Sequence, residues 1–247
     1  MVAPAALITG GTSGIGRATA ELLHRQGYRV AITGRSESVA RARAELPDEV
    51  LVLAADLGSL SDTDRVVAEV RERFGALTTL CLNAGITRPA TLETATEAAF
   101  DDAFAVNTKG QYFTLVKALP LLVDGASIVV TAGIGASRAL TGNSITAGSR
   151  GALLTMIPTL ALELAPRRIR INAVSPGYTD TPMLRSTPGM TPEEIEGMLA
   201  GMAANTPFGR LGTPEDVAET IAFLASDGAA YVTGQEILVA GGAGLAV

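Results

Sequence analysis

The chain has 247 residues, of which 47% are hydrophobic and 18% are charged, and its formal net charge is -6. The apolar fraction excludes a disordered chain, and the acidic balance argues against nucleic-acid binding, which needs a basic face. One cysteine and one histidine exclude a disulfide scaffold and a Ser-His-Asp or Cys-His nucleophile, and they leave no ligand set from which we would expect a metal site.

The N-terminal residues 1–10 carry no basic segment, and their apolar run ends in glycines. Nowhere in the sequence do 18 uncharged apolar residues follow one another, as a membrane-spanning helix requires. We therefore expect a cytoplasmic protein that has no targeting segment and no membrane partner.

Short apolar runs alternate along the chain with longer segments of helical periodicity. The predicted strands are Ala5–Thr9, Arg29–Thr33, Val50–Ala54, Leu77–Leu82, Ser127–Thr131, Ile169–Val174 and Ile237–Val239. The predicted helices are Gly16–Gln26, Ser61–Phe74, Phe100–Leu122, Gly148–Ala165 and Pro214–Ala225. Because most strand runs are continuously apolar, both faces of the sheet should be covered. The predicted fold class is α/β, a doubly wound parallel seven-stranded sheet.

Three segments have the composition of a capped helix start. Thr191-Pro192-Glu193-Glu194 and Thr213-Pro214-Glu215-Asp216 each place a threonine cap and a proline before two acids. Ser61 and Asp64 have the spacing of a capping pair. These patterns predict where three helices begin.

No linker, repeat or low-complexity tract divides the chain, so residues 1–247 are predicted to form one domain. Residues 181–212 depart from the alternation, since they are rich in Pro, Gly and Met and contain a predicted short helix over Thr191–Met202. A partly helical excursion after the carboxyl end of a strand is a typical place for a substrate lid. We predict a lid-like insertion there, the alternative being a packed surface loop.

The first predicted strand is followed by Gly10-Gly11-Thr12-Ser13-Gly14-Ile15-Gly16, where a helix begins. Glycines let the backbone turn tightly and approach a pyrophosphate, which the N–H groups of a helix start stabilise. The residues predicted to bind a dinucleotide are Gly10, Thr12, Ser13, Gly14, Ile15 and Gly16. The alternative is a strand–helix turn that is merely tight.

The second predicted strand is followed by Gly34-Arg35-Ser36, about where an NAD site carries an acid for the ribose. The acid is missing, and an arginine follows that can meet a 2′-phosphate and stack on the adenine. We therefore predict that Arg35 and Ser36 bind NADP(H) rather than NAD(H), the alternative being a solvated surface arginine.

These features resemble the short-chain dehydrogenase/reductase family in its single-domain form, and the resemblance covers nearly the whole chain. Residues 9–16 are similar to the family's TGxxxGIG motif, Asn83-Ala84-Gly85 to the end of its NNAG motif, and Arg168–Gly177 to its sixth strand and Pro-Gly turn. The resemblance implies a Rossmann fold. It also implies further cofactor-binding positions at Asp56, Leu57, Asn83, Ala84, Gly85, Pro176, Gly177, Thr179 and Thr181.

The catalytic segment departs from that resemblance. Asn107 matches the helix asparagine of the family's tetrad, but aligning Arg150 with its lysine places Thr146 at the tyrosine and Gly133 at the serine. In the family the tyrosine donates a proton and the lysine lowers its pKa. Threonine is a far weaker acid, and Gly133 has no hydroxyl. Arg150 can still bind the cofactor's ribose hydroxyls, although its planar fork does not simply replace an ammonium.

Tyr178 directly follows the Pro-Gly turn, which the resemblance places beside the nicotinamide. It is either a substitute proton donor or an aromatic wall of the substrate pocket. The candidate catalytic residues are thus Asn107, Thr146, Arg150 and Tyr178.

The sequence as a whole predicts an atypical NADPH-dependent reductase of a bulky, largely apolar carbonyl or conjugated small molecule, with a degenerate Ser-Tyr-Lys relay. Two alternatives stay open: an inactive nucleotide-binding subunit, and a non-redox cyclase, dehydratase or isomerase on the same scaffold. The resemblance further implies a homotetramer or dimer formed through Phe100–Leu122 and Gly148–Ala165.

Overall fold

A computed structural model describes residues 3–187 and 189–245 of the chain. Seven strands form one sheet in the order β3-β2-β1-β4-β5-β6-β7, and every neighbouring pair is parallel. The strands are β1 (Ala5–Ile8), β2 (Arg29–Gly34), β3 (Leu51–Ala54), β4 (Leu77–Leu82), β5 (Leu122–Thr131), β6 (Arg170–Pro176) and β7 (Glu236–Val239). The predicted α/β, doubly wound Rossmann-type sheet is therefore confirmed. The strand order reverses between β1 and β4, which opens a crevice at the carboxyl edge of the sheet.

The helices cover both faces of this sheet. They are α1 (Gly14–Arg25), α2 (Ser36–Glu45), α3 (Leu60–Phe74), α4 (Glu97–Phe104), α5 (Gln111–Ala118), α6 (Ser144–Leu164), α7 (Pro182–Arg185), α8 (Pro192–Ala204) and α9 (Pro214–Ala225). One face buries apolar side chains of α3, α5 and α6, including Val66, Leu115 and Ile157. The other buries side chains of α1, α2 and α9, including Leu23, Val39 and Ile221.

The prediction of one helix over Phe100–Leu122 is wrong. A π-helical turn, Ala105–Gly110, separates α4 from α5, a 3₁₀ turn follows at Leu119–Leu121, and Leu122 already belongs to β5. At the end of the π turn the backbone packs so closely that a Cβ on Gly110 would stand 2.2 Å from the Leu57 carbonyl oxygen. Helices with π turns often carry functional residues, and this one carries Asn107.

Two of the three predicted capped starts are confirmed. Thr191 and Glu194 form a capping box at the start of α8, and Thr213 and Asp216 form one at the start of α9. The Ser61 pair is wrong, since Ser59 is the cap of α3 and its hydroxyl accepts from the Asp62 N–H at 3.3 Å. The sequence also missed α2 altogether and placed the start of α6 four residues late.

Helix α6 together with the 3₁₀ turn after it, Ser144–Arg167, is long and apolar enough to cross a membrane by length and composition alone. One such helix is weak evidence, because core helices pass the same test. Here Leu153 and Ile157 are buried against the sheet, whereas Leu162 on the opposite face is 77% exposed. We interpret α6 as a core helix with an uncovered apolar face, and the absence of a membrane partner stays a prediction.

Candidate active site

The glycine-rich turn after β1 forms the floor of the crevice. Gly10 has φ +67°, and a Cβ on it would stand 2.8 Å from the Ala84 Cα. A Cβ on Gly16 would stand 2.3 Å from the Gly10 carbonyl oxygen. Only glycine fits either position, so the turn packs closely against the start of α1 and the loop after β4. A helix start approached this closely by a glycine turn is the usual place for a pyrophosphate in dinucleotide sites.

The loop after β4 is tied to this turn by side chains. The Thr9 hydroxyl oxygen accepts from the N–H groups of Asn83 at 2.9 Å and Ala84 at 3.0 Å. The Asn83 amide donates to the carbonyl oxygens of Thr9 and Gly10 at 3.1 and 3.2 Å. The buried Gln111 amide also donates to the Ala84 carbonyl oxygen. The sequence missed Thr9 and Gln111, although a buried glutamine on an apolar helix face is a signal that could have been noticed.

At the end of β2, the geometry explains why no acid follows the strand. A Cβ on Gly34 would stand 2.3 Å from the Thr12 methyl, so a side chain there would collide with the glycine turn. Arg35 is exposed, and its Nε lies 3.1 Å from a carboxylate oxygen of Glu37. Ser36 opens α2, so the N-terminus of that helix lies beside Arg35.

Asp56, the acid after β3, makes hydrogen bonds within the protein. One Asp56 carboxylate oxygen accepts from the Gly58 N–H at 2.8 Å, and the Asp56 N–H donates to Asp62 at 2.8 Å. Leu57 is buried. Asp56 is exposed, so its other oxygen remains accessible to a ligand.

The Pro176–Thr181 segment closes the other side of the crevice. A Cβ on Gly177 would stand 2.8 Å from the Ala240 Cα, and the buried Thr179 hydroxyl donates to the Gly177 carbonyl oxygen at 3.2 Å. The Thr181 methyl lies 3.3 Å from the point where a Cβ on Gly14 would stand. The segment assigned to the nicotinamide end is therefore in contact with the glycine turn.

Tyr178 is half-buried, and its carbonyl oxygen accepts from the Gly212 N–H at 2.9 Å. The Asp180 N–H donates back to the Gly212 carbonyl oxygen at 2.9 Å, so the two ends of the 181–212 excursion lie together. Within its described residues only Leu199 and Thr206 are buried. The lid-like insertion over residues 181–212 stays a prediction.

Asn107 holds the loop after β4 to α6. Its amide oxygen accepts from the Ile86 N–H at 2.8 Å, and its amide nitrogen donates to the Ile86 carbonyl oxygen at 3.0 Å and to the Ser149 hydroxyl at 2.9 Å. All three bonds fix protein groups, so this side chain positions the site.

The Thr146 hydroxyl oxygen is buried and accepts from the Arg88 N–H at 2.9 Å. It therefore faces the loop after β4, where it satisfies a backbone donor. A catalytic role for Thr146 stays a prediction, and this geometry gives it a structural role as well.

Arg150 reaches the carboxyl edge between β4 and β5. Its Nη1 donates to the Ala132 carbonyl oxygen at 2.7 Å, and a Cβ on Gly85 would stand 2.8 Å from its Nη2. Gly133, at the position of the missing serine, has φ +110° and lies next to Nη1, with 3.8 Å from Nη1 to the point where its Cβ would stand. The guanidinium thus lies between two glycines, Gly85 and Gly133, on the loops after β4 and β5.

A cavity of ≈ 10 Å³ lies beneath this guanidinium, lined by residues that include Gln111, Thr131 and Leu153. It has room for about one water molecule and none for a substrate. The Arg150 Nε and the Thr131 hydroxyl are buried without a hydrogen-bond partner among the described residues. Desolvation lowers the pKa of the Arg150 guanidinium to about 10. Across residues 3–187 and 189–245, no group of three His, Cys, Asp or Glu is placed to hold a metal ion.

The chain is similar to known reductases over nearly its whole length. A family model described as Enoyl-(Acyl carrier protein) reductase matches residues 10–244. The chain is 35% identical over 242 residues to the 3-oxoacyl-(acyl-carrier-protein) reductase of Thermotoga maritima, with 96% of each chain covered. It is 31% identical over 252 residues to the tetrahydroxynaphthalene reductase of Pyricularia oryzae, covering 96% of this chain and 88% of that one.

A solved structure is similar to this chain over nearly its whole length as well. The crystal structure of 3-ketoacyl-(acyl-carrier-protein) reductase from Brucella melitensis complexed with NADH superposes with a TM-score of 0.88, at 30% identity and with 98% of each chain covered. The family match over almost the whole chain agrees with the order of the strands. It also agrees with the glycine turn, which lies where that order reverses, between β1 and β4. The chain belongs to the short-chain dehydrogenase/reductase family of NAD(P)-dependent oxidoreductases.

Proposed function

We propose that this chain is an NADPH-dependent reductase of a bulky, largely apolar carbonyl or conjugated substrate, and that it works without the family's Ser-Tyr-Lys proton relay. The observation that carries the proposal is the contact between the two halves of the crevice. The glycine turn at Gly14 meets Thr181, and the turn at Gly10 is packed against Ala84. A protein that bound only the adenine half would have less use for an intact Pro176–Thr181 segment.

The residues present fit a dinucleotide. The glycine turn and the start of α1 would hold the pyrophosphate, Asp56 and Leu57 the adenine, and Thr179 and Thr181 the nicotinamide end. Arg150 has donors left for ribose hydroxyls, because among the described residues its only hydrogen bond is that of Nη1 to Ala132. When bound, a reduced nicotinamide would supply the hydride.

The preference for NADPH rests on the end of β2. Gly34 leaves no acid for a ribose 2′-hydroxyl, while Arg35 and the N-terminus of α2 favour a phosphate there. A charge-assisted contact of this kind is worth about 1.5–3 kcal/mol, or roughly 10–150-fold in affinity. Glu37 partly neutralises Arg35 in the structure, so a 2′-phosphate has to displace that exposed ion pair. Exposed pairs are weak, so this costs about 1 kcal/mol or less.

The loss of the proton relay limits the substrate. A general acid contributes about 10²–10⁴-fold, whereas alignment of the reactants supplies about 7–11 kcal/mol without one. A reductase with this site would therefore favour activated acceptors, such as quinones and conjugated ketones. A relative acts, by its name, on a hydroxylated naphthalene. The four methionines near the excursion, Met183, Met190, Met198 and Met202, give it an adaptable apolar surface.

The same proposal includes a homo-oligomer, a dimer or tetramer, in the cytoplasm. An open groove of ≈ 470 Å³ lies along α4, α5 and α6 and is lined by apolar side chains that include Phe104, Tyr112, Phe113 and Met156. Leu162 extends this apolar surface along α6. A second copy of the chain would cover it. Light scattering on the purified protein tests this, and a monomer at micromolar concentration would contradict it.

Stopped-flow mixing with NADPH and a panel of ketones and quinones tests the function. We expect NADPH oxidation above the uncatalysed rate with at least one activated acceptor, and none in Gly16→Ala, whose new Cβ would close the glycine turn. Circular dichroism of that variant verifies its fold. Failure of every acceptor in the wild type, or turnover of a substrate with no NADPH consumed, would contradict the proposal.

A further inference from the structure

Asn143 stands at the N-cap position of α6, yet its side chain does not cap the helix. Asparagine is among the best capping residues, because its side-chain oxygen accepts from a free N–H of the first helical turn. The Asn143 amide instead extends over the loop after β5, where a Cβ on Gly135 would collide with its amide nitrogen. Gly135 has no positive φ, so the position needs a glycine to make room for this amide.

The backbone around Asn143 is fixed, whereas its amide is free to bind. The Asn143 N–H donates to the Leu140 carbonyl oxygen at 3.2 Å, and its carbonyl oxygen accepts from the Ala147 N–H at 2.7 Å. The Gly142 carbonyl oxygen accepts from the Ala90 N–H, on the loop after β4, at 2.9 Å. Within residues 3–187 and 189–245 no hydrogen bond includes the Asn143 amide, and the side chain is half-buried. A ligand can therefore reach its two N–H donors.

These donors lie above the loop that carries Gly133, the residue that aligns with the family's serine. Apart from its neighbours in the chain, the one described group within 4 Å of the point where a Cβ on Gly133 would stand is Arg150 Nη1, at 3.8 Å. The place of a serine side chain is therefore bare. The loop leaves the carboxyl end of β5, and ligands of such sheets bind at that edge.

We propose that Asn143 is a catalytic hydrogen-bond donor, which binds the carbonyl oxygen of the substrate and stabilises the negative charge that forms on it. The inference rests on the proposed function and assigns to Asn143 the task of the missing serine hydroxyl. A donor that already points at the oxygen before the charge develops needs no reorganisation during the reaction, which makes such donors large contributors to catalysis. The amide is neutral and keeps both of its protons.

The proposal restricts the substrate, because the proton has to come from water. The carbonyl carbon accepts a hydride, with both of its electrons, from the reduced nicotinamide. The π electron pair of the C=O bond moves to the oxygen, and water gives that oxygen a proton and leaves as hydroxide. Since water is a weak acid, the reduced oxygen has to be a poor base. An alcohol oxygen beside an electron-withdrawing group meets this requirement, whereas that of a simple dialkyl ketone does not.

The test uses two ligands of nearly one shape. Isatin has a ketone between an aromatic ring and an amide carbonyl, and oxindole has a CH₂ group in place of that ketone. Calorimetry measures both affinities with NADP⁺ present, so that no reduction occurs, for the wild type, Asn143→Leu and Ser144→Ala. Leucine keeps the size of asparagine without a donor. Ser144 is the matched control, since it is the next residue and is exposed at the same helix start.

Infrared spectra of isatin labelled with ¹³C at the ketone carbon report the hydrogen bond itself, because a carbonyl stretch falls to lower wavenumber when its oxygen accepts one. We expect the wild type to bind isatin roughly 2–10-fold more tightly than oxindole, and Asn143→Leu to lose that preference. The ketone stretch should be lower in the wild-type complex than in the Asn143→Leu complex. Ser144→Ala should match the wild type in both measurements.

Turnover of isatin, followed as NADPH oxidation, should fall in Asn143→Leu by roughly 100–1,000-fold in kcat, with KM changed by less than about tenfold. The inference is overturned if the wild type binds isatin no more tightly than oxindole, or not at all up to about 1 mM, comparisons that need no variant to fold. An unchanged ketone stretch in Asn143→Leu overturns it as well.

The two proposals fail in different ways. A wild type that oxidises NADPH with isatin, beside an Asn143→Leu protein of equal kcat, overturns the role of Asn143 and leaves the reductase standing. A wild type that oxidises NADPH with no acceptor overturns the reductase, while a ketone stretch that depends on Asn143 would still support the carbonyl site.

Discussion

Arg150 and Gly85 are in contact across the crevice, with Nη2 only 2.8 Å from the position that a Cβ on Gly85 would take. Gly85 has no positive φ, so its small size is needed for the guanidinium rather than for the backbone. Two positions distant in sequence, one on the loop after β4 and one on α6, are therefore coupled through a single group.

Gly85→Ala tests this coupling. The new methyl should push aside the end of a flexible side chain, so we expect a small loss in the free energy of unfolding, about 1 kcal/mol or less. Because Arg150 would hold ribose hydroxyls of the cofactor, the affinity for NADPH should fall by roughly 2–10-fold. Chemical denaturation and calorimetry measure the two effects, and an unchanged affinity for NADPH would show that the guanidinium does not bind the cofactor from this position.

Gly133→Ser should not restore the family's serine. Gly133 has φ +110°, which L-residues rarely adopt, so the substitution should cost about 1–3 kcal/mol of stability. Ala136→Ser on the same loop is the control, because its backbone has no positive φ. Urea unfolding compares the two, and a Gly133→Ser protein as stable as the wild type would contradict the strained backbone.

Thr146→Val removes the acceptor of the Arg88 N–H while keeping the shape of the side chain. Leaving that half-buried donor unpaired should cost about 1 kcal/mol of unfolding free energy, and Thr146→Ser should recover most of it. The rate of NADPH oxidation by a quinone should change little in the folded fraction. A loss of rate of 100-fold or more at unchanged stability would instead make Thr146 the proton donor.

Arg35→Glu should weaken NADPH by roughly 10–150-fold and leave NADH nearly unchanged, because only NADPH has a 2′-phosphate to meet the arginine. Glu37→Gln releases Arg35 from its exposed partner and should strengthen NADPH by a few-fold at most. The dissociation constants of both cofactors test this prediction. Equal affinities of the wild type for NADPH and NADH would contradict the preference for NADPH.

Asp216 makes stability depend on pH at the start of α9. The Arg210 guanidinium beside it and the Thr213 N–H hold the pKa of the Asp216 carboxyl at about 2 in the folded chain. Since the unfolded value is about 3.9, its stabilisation is present above about pH 4 and is lost as the pH falls to about 2. Asp216→Asn should cost about 1 kcal/mol at about pH 6 and almost nothing at about pH 2. Urea midpoints at the two pH values measure this, and an equal cost at both would contradict it.

The sheet and the crevice motifs could be predicted because each is local. Continuous apolar runs identify parallel strands, and glycines between a strand and a helix predict a tight turn there, which the structure has. Helix α2 was missed because only Val39 and Ala42 of its residues are buried, which leaves almost no apolar periodicity. The long helix was wrongly joined because its interruption depends on packing against Leu57, far away in sequence.

The reacting end could be predicted in part. Motif spacing predicts replacements at Gly133, Thr146 and Arg150, and these stay predictions, since residue types do not show where side chains point. That Thr146 bonds to Arg88 and Arg150 to Ala132 follows from how the loops after β4 and β5 approach α6. The positive φ at Gly133 is likewise a property of the folded loop.

The central claim is that the crevice binds a complete reduced dinucleotide although Gly133, Thr146 and Arg150 align with the family's serine, tyrosine and lysine. Calorimetric titration of the wild-type protein with NADPH tests it directly, with NADH as the comparison. We predict saturable binding at one site per chain, tighter for NADPH than for NADH. No heat from either cofactor, at concentrations up to about 1 mM, would contradict the account.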